Sequence, residues 1–173
     1  MKSKIMPSAV LGAICLVVAL ILAAVNMVTA PEIERRQNAK DMEALREVLP
    51  DASDLKLTEA YDERIDPKIT AVYEGTAGYV FKITTSGKNP GMIIMVGIDQ
   101  TGKITGTKCT ATNETKTYAD PVFAAVDGGQ YYKDQTSDSF KPYVQSGATL
   151  TSGAYSGAVD AALNAYATIK GGN

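Results

Sequence analysis

The sequence contains no histidine, no tryptophan and only two cysteines among 173 residues. Without histidine the chain lacks the usual general base, the commonest zinc and haem ligand, and every nucleophile built on a Ser–His or Cys–His pair. Cys15 lies in an apolar run and Cys109 stands alone in a polar region. Neither an intramolecular disulfide framework nor a cysteine-ligated cluster is therefore expected, and most hydrolase classes are excluded.

An excess of charge of either sign is also missing. The chain has 17 Lys and Arg against 19 Asp and Glu, a formal net charge of -2. It has no basic block and no basic stretch interleaved with aromatics, so nucleic acid is not an expected partner. Apolar residues make up 45% of the chain, which is enough to build the packed core of one domain with an appendage.

The longest uncharged run lies at the N-terminus. Residues 5–31 contain no charged side chain, and the apolar run from Val10 to Val28 has the length of a helix that crosses a bilayer. A cleaved signal peptide is the alternative, but the run exceeds the usual apolar region of roughly 7–15 residues. We therefore expect residues 1–31 to form a short tail and a retained transmembrane helix. Basic residues flank the run on both sides, so charge alone does not decide its orientation.

A stalk helix that runs out of the membrane is predicted for residues 32–50. Apolar residues are set among charges at helical spacing, and Pro50 ends the pattern. This pattern is typical of a solvated stalk. The globular part is expected from about residue 44, with the domain itself assigned to residues 51–173.

From Ile69 onward the hydrophobic period is that of strands. Four runs rich in β-branched residues, separated by turn sequences such as SGKNPG and DQTG, cover residues 69–75, 78–87, 91–99 and 102–112. They predict a meander of three or four antiparallel strands, with the wholly apolar run 92–98 as a central strand covered on both faces. A short helix is predicted at residues 121–126. The fold class is thus α+β, an antiparallel sheet with flanking helices in a single domain.

Hydroxyl and glycine residues crowd into one segment near the end of the chain, Gln145–Tyr155 (QSGATLTSGAY). The apolar residues of 159–166 follow at helical spacing, so a helix is predicted to begin near Tyr155, with the hydroxyls of 149–152 just ahead of it. The free N–H groups and positive dipole end of such a helix stabilise an anion, and the glycines let a bulky ligand approach. Ser, Thr and Gly also precede helices merely as caps and turns, so both interpretations stand.

The segment SGATLTS, Ser146 to Ser152, resembles the flavinylation motif of the FMN-binding domain family. That family is shared by the RnfG subunit of Rnf electron-transport complexes and the NqrC subunit of the sodium-pumping NADH:quinone reductase. The strands from Gly78 and Met95, the Asn113-Glu114-Thr115 segment and the single N-terminal span are similar to further features of the family.

The resemblance implies covalent FMN, joined by a phosphoester bond to Thr149, the last residue of SGAT. It also implies that the other motif residues shape the cofactor loop: Ser146, Gly147, Ala148, Leu150, Thr151 and Ser152. Glu114 and Thr115 are further candidates for cofactor binding, or simple turn residues. Tyr118, Tyr131 and Tyr132 are candidates for stacking on the flavin, or ordinary packing residues.

Two places differ from the usual pattern of the family. Tyr143 stands where an Asp is usual, three residues before the first Ser of the motif. Residues 116–120 replace the glycine-rich stretch that usually follows Glu-Thr, so flavin contacts made by that stretch are not carried over to this chain.

The resemblance implies an electron-transfer subunit, not catalytic alone, in a membrane-bound Rnf-type complex that couples ferredoxin:NAD oxidoreduction to Na⁺ or H⁺ translocation. The implied partners are the other membrane subunits and a flavin transferase that attaches FMN. The implied location is the cell membrane, with one span and an extracytoplasmic C-terminal domain. The short chain favours an Rnf subunit over an NqrC-like one. A free-standing membrane-anchored flavoprotein and a cofactor-free tethered scaffold or binding module remain alternatives, and flavin content separates the scaffold from the others.

Overall fold

A computed structural model describes residues 2–50, 52, 54–58 and 66–171 of the chain. It divides into two compact units, Met1–Lys40 and Asp41–Asn173. Helix α1 is assigned to Lys2–Val48, and its C-terminal end, from Asp41, belongs to the second unit. The predicted domain start at residue 51 falls outside the described residues and stays a prediction.

The first unit is formed by the apolar part of α1. From Val10 this helix contains a stretch long and apolar enough to cross a membrane, with a mean hydropathy of 2.7. Its large apolar side chains between Val10 and Val28 are exposed. A long apolar helix with exposed side chains has the character of a membrane span. The structure is thus compatible with the predicted single-pass arrangement.

The second unit contains a five-stranded antiparallel sheet in the order β1-β2-β3-β4-β5. The strands are β1 Lys56–Leu57, β2 Ile69–Gly75, β3 Gly78–Ser86, β4 Pro90–Asp99 and β5 Ile104–Ala111. Strands β2 to β5 are the predicted meander, and the predicted α+β class is confirmed. The short strand β1 was not predicted, because two residues carry no periodic signal.

One face of the sheet is covered by helix α3, Thr149–Gly171. Its buried stripe is made largely of small residues such as Ala158 and Ala162, which pack with Phe81 and Ile94 of the sheet in one hydrophobic cluster. Small side chains let the helix lie close to the strands. The N-terminal end of α3 thereby lies beside the turn between β3 and β4, where a Cβ on Gly87 would be 3.1 Å from Thr151 Cα.

The opposite face of the sheet is covered by the end of α1. A second hydrophobic cluster joins Val80 and Met95 of the sheet to Ala44, Leu45 and Val48 of α1 and to Leu49, which follows the helix. Lys82 on β3 forms an ion pair with the buried Asp41. This end of the predicted stalk is therefore buried and not solvated, because its apolar residues meet the second face of the sheet. Strand β4 is covered on both faces, as predicted.

Two predicted helix boundaries were wrong. Helix α2 runs Lys116–Phe123 and is followed by a π-helical turn, Ala124–Gly128, so the helix expected at 121–126 begins earlier. Helix α3 begins at Thr149 and not near Tyr155. Its first turn is rich in Thr, Ser and Gly, which are weak helix formers, and it is held by tertiary hydrogen bonds that local sequence does not reveal.

Candidate functional site

A four-residue turn, Gln145–Ala148, leads into α3. The N–H of Ala148 donates to the carbonyl of Gln145 at 3.0 Å, and Gly147, the third residue of the turn, has a φ of 80°. These features are those of a type II turn, which favours glycine at this position because a Cβ strains the left-handed conformation. Nothing lies within 4 Å of a Cβ built on Gly147. The backbone conformation, and not crowding, therefore requires this glycine.

The turn places Thr149 at the first position of α3. The preceding residue, Ala148, has no polar side chain with which to cap the helix. Among the described residues, no acceptor takes a hydrogen bond from the N–H groups of residues 149–151. The Thr149 side chain is exposed, and within the described part of the chain its hydroxyl has no hydrogen-bond partner. The structure thus presents a hydroxyl beside an uncapped, electropositive helix end.

The other two hydroxyls of the first turn point into the protein. Ser152 Oγ donates to the Ala148 carbonyl at 3.0 Å and accepts the Gln145 N–H at 3.1 Å, which fastens the turn to the helix. Thr151 Oγ1 donates to Glu114 Oε2 at 2.7 Å. Both side chains are buried. Of the hydroxyls at positions 149, 151 and 152, only that of Thr149 faces solvent.

Glu114 is a carboxylate buried beside this turn, with 9% of its surface exposed. Its Oε1 accepts the backbone N–H of Asn89 at 2.6 Å, and its Oε2 accepts the Thr151 hydroxyl. Its own N–H donates to Thr112 Oγ1 at 3.1 Å. No cation among the described residues forms an ion pair with Glu114. The two carboxyl oxygens are instead satisfied by hydrogen bonds from two other segments of the chain.

The β3–β4 turn, residues 87–89, is pressed against the same junction. A Cβ on Gly87 would lie 2.9 Å from Glu114 Oε1 and 3.1 Å from Thr151 Cα, so a larger residue does not fit there. Asn89 Nδ2 donates to the carbonyl of Asn113 at 2.8 Å. Three segments that are distant in sequence thus meet at Glu114.

An open pocket of about 280 Å³ lies where these segments meet. Lys88 contributes from the β3–β4 turn, Glu114 and Thr115 from the segment before α2, and Tyr118 from the first turn of α2. Residues 147–151 contribute from the turn before α3 and from the start of that helix. Tyr118 is 53% exposed and Leu150 65% exposed, so an aromatic and an aliphatic side chain are available to a ligand. The pocket combines a cation, a helix N-terminus, apolar surface and the Thr149 hydroxyl.

The pocket brings together most of the residues predicted from the sequence. Those that line it are Glu114, Thr115, Gly147, Ala148, Thr149, Leu150 and Thr151. Ser152 is buried and supports the turn, and Ser146 is exposed within it. Tyr118 lines the pocket, whereas the other stacking candidates, Tyr131 and Tyr132, do not. Lys88 was missed, because SGKNPG indicates only a turn and no local pattern places that turn beside Thr149.

Tyr143, at the position where an Asp is usual, supports the turn through hydrogen bonds of its side chain and backbone. Its hydroxyl donates to Gln145 Oε1 at 2.7 Å. Its N–H lies 3.1 Å from both Tyr132 Oη and Ser156 Oγ, and these two hydroxyl oxygens are 2.7 Å apart. Tyr143 thereby ties the first residue of the turn to the buried side of α3.

A partly buried carboxyl, Asp127, belongs to the π-helical turn. It accepts hydrogen bonds from the hydroxyl of Tyr155 and, at 3.1 Å, from the N–H of Cys109. Burial raises the pKa of Asp127, with the two hydrogen bonds opposing the shift, and burial raises the pKa of the Cys109 thiol to about 12. The described residues contain no cluster of Cys, Asp and Glu that could hold a metal ion.

Two known family models match the chain. Residues 87–164 match the FMN-binding domain, and residues 1–48 match the RnfG N-terminal region. The first range contains the β3–β4 turn, Glu114 and the start of α3, which together form the pocket. No curated protein matches the chain. The two matches lie on one chain, the N-terminal region first and the flavin domain after it, and together they fit RnfG, an FMN-binding subunit of the Rnf complex.

Proposed function

We propose that the chain is an electron-transfer subunit whose FMN is joined through its phosphate to the Oγ of Thr149. The observation that carries the proposal is the selective exposure of this hydroxyl. Thr149 stands at an uncapped helix end on a pocket, while Thr151 and Ser152 are buried and hydrogen-bonded. The match to the FMN-binding domain over residues 87–164 supports the identity of the cofactor.

The residues of the pocket fit a phosphate-bearing flavin. The N–H groups of residues 149–151 have no acceptor within the described residues, so they are free to stabilise a phosphodiester anion. Lys88 adds a positive charge at the same pocket, and Tyr118 and Leu150 provide apolar surface for a ring system. Bound FMN supplies one- and two-electron redox chemistry, while the residues of this chain hold and orient the cofactor.

Attachment replaces the O–H bond of Thr149 by an Oγ–P bond to the FMN phosphoryl group. The bond between that phosphorus and the leaving group of the flavin donor breaks, and the hydroxyl proton passes to a base of the flavin transferase. The exposed position of Thr149 gives such an enzyme access. A covalent bond also keeps the cofactor in place outside the cytoplasm, where lost FMN would not be replaced.

The apolar segment of α1 is proposed to cross the cell membrane once, with the chain after residue 31 on the extracytoplasmic side. There the subunit relays electrons between partner subunits of an Rnf-type complex, which couples ferredoxin:NAD oxidoreduction to Na⁺ or H⁺ translocation. The match of residues 1–48 to the RnfG N-terminal region supports this proposal over an NqrC-like or free-standing flavoprotein.

The proposal is tested by co-expressing the chain with a flavin transferase and denaturing the purified product. The expected intact mass is that of the chain plus FMN minus one water, with in-gel flavin fluorescence that survives denaturation. Thr149→Val should lose both signals. Thr117→Val, an exposed threonine outside the pocket, is the matched control and should keep them. An unmodified wild-type chain would overturn the proposal and favour the cofactor-free scaffold.

A further inference from the structure

Glu114 is surrounded by groups that belong to both walls of the pocket. Its Oε2 accepts from Thr151 on α3 at 2.7 Å, and its Oε1 accepts from the backbone of Asn89 at 2.6 Å. Both oxygens are thus engaged within the protein, as expected of an ionised carboxylate, which only accepts hydrogen bonds. The carboxylate links the first turn of α3 to the turn that carries Lys88.

We propose that Glu114 is a positioning residue for FMN attachment, which holds the Thr149 hydroxyl and the Lys88 side chain toward one pocket. The proposal rests on the proposed function of Thr149. It gives Glu114 no contact with the phosphoryl group, because both of its oxygens are already used.

The hydrogen bond from Thr151 to Glu114 fixes the rotation of the first turn of α3. In a helix of 3.6 residues per turn, side chains two positions apart point about 200° apart. A hydrogen bond that draws Thr151 inward to Glu114 therefore turns Thr149 outward, to the solvent and the transferase. The burial of Thr151 and the exposure of Thr149 agree with this geometry.

The hydrogen bond from the Asn89 N–H to Glu114 fixes the opposite wall of the pocket. The N–H of Asn89 belongs to the residue after Lys88, so its bond to Glu114 Oε1 holds the Lys88 backbone beside the start of α3. Gly87 permits this approach, because a Cβ there would lie only 2.9 Å from the same oxygen. Charge-assisted hydrogen bonds of this kind are stronger than neutral ones.

The test is the initial rate of FMN attachment per folded chain, measured by intact mass on the purified full chain with transferase and flavin donor. Glu114→Ala and Thr151→Val should each lower the rate of attachment by about tenfold or more. The double variant should be no slower than the slower single variant, because the two residues act through one hydrogen bond. Glu114→Gln and Thr151→Ser retain groups that can make the bonds and should stay within about threefold of wild type. Asp120→Asn, which removes an exposed carboxylate on α2, is the matched control.

Two results would overturn the proposal. One is a wild-type rate in folded Glu114→Ala, which would make the residue structural only. The other is a Glu114→Gln rate as low as that of Glu114→Ala, since charge and not the two hydrogen bonds would then matter. If Glu114→Ala does not fold, Thr151→Val and its rescue by Thr151→Ser decide the question.

A second readout separates this proposal from the proposed function. If the wild-type chain accepts no FMN, the proposed function is rejected. The positioning role of the Thr151–Glu114 hydrogen bond is then tested in the unmodified chain by amide hydrogen exchange at Ser152. The Ser152 N–H bonds to Ala148 in the first turn of α3. Thr151→Val should speed the exchange of the Ser152 N–H about tenfold, because the first turn of α3 opens more often. Unchanged exchange would contradict the proposal that the Glu114–Thr151 bond holds this turn.

Discussion

Gly97 of β4 lies directly against the carbonyl of Val48 at the end of α1. A Cβ on Gly97 would sit 2.6 Å from Thr105 Oγ1 and nearer still to the Val48 oxygen, and Thr105 donates a hydrogen bond to that same oxygen. Gly106, the cross-strand partner of Gly97, would bring a Cβ to 3.2 Å from Val48 Cα. A pair of glycines and one hydroxyl thus hold this helix end on the sheet, with no room for a methyl group.

Gly97→Ala should lower the free energy of unfolding by about 1–3 kcal/mol, the usual cost of overpacking a well-filled site. Urea unfolding of the full chain in mild detergent measures the change. Gly157→Ala is the matched control, because nothing lies within 4 Å of a Cβ at this helical position. It should raise stability by roughly 0.5–1 kcal/mol, as alanine is the better helix former. Equal effects of the two substitutions would contradict the contact described here.

Gly147→Ala should destabilise the turn before Thr149 although space for the methyl group is available. The cost comes from the left-handed backbone and should be about 1–2 kcal/mol. Asn tolerates this conformation better than Ala, so Gly147→Asn should lie between Gly147→Ala and wild type in unfolding free energy. Wild-type stability of Gly147→Ala would show that the φ of 80° is not maintained in the protein.

Stability should also carry a pH dependence from Asp127. Burial raises its pKa in the folded state above the usual 3.8, so its stabilising contribution is complete below that pH and is lost as pH rises through the raised folded value. Asp127→Asn removes this titration. The unfolding free energy of the variant minus that of wild type should therefore increase between about pH 4 and the raised folded pKa.

The exposed Thr117→Val, which removes no titratable group, serves as the control for this pH series. Its difference from wild type should stay flat across the same pH range. A flat difference for Asp127→Asn as well would contradict the burial that we assign to its carboxyl.

Cys109 should react slowly with thiol reagents in the folded protein. Burial raises the pKa of its thiol to about 12, and only the thiolate is nucleophilic. Iodoacetamide at pH 8 should label Cys109 at least about tenfold faster after denaturation than before, as followed by peptide mass. Rapid labelling in the native state would contradict the packing of β5 against the π-helical turn.

Runs of apolar and β-branched residues bounded by turn sequences were sufficient to predict β2 to β5, because each of these strands is long enough to carry that pattern. Burial of the helix end from Asp41 could not be predicted, since an amphipathic segment with charges is typical of both solvated and packed helices. The start of α3 was misplaced because its first turn is held by Glu114 and Ser152 hydrogen bonds and not by helix propensity. The bond between Glu114 and Thr151 joins residues that are 37 positions apart in the sequence.

The candidate site was predicted in part for the same reason. SGATLTS is a local pattern, so the residues that surround Thr149 were found from the sequence. Lys88 reaches the pocket only through the fold, by the hairpin that brings the β3–β4 turn to Glu114. No spacing in the sequence indicates this contact.

The central claim is that Thr149, and not another hydroxyl of the motif, carries the flavin. The most direct measurement is fragmentation mass spectrometry of the flavin-bearing proteolytic peptide that contains residues 145–155, after co-expression with a flavin transferase. We predict FMN minus one water on Thr149 alone, because Thr151 and Ser152 are buried and hydrogen-bonded. Attachment at Ser146, Thr151 or Ser152, or a peptide without flavin, would contradict the account.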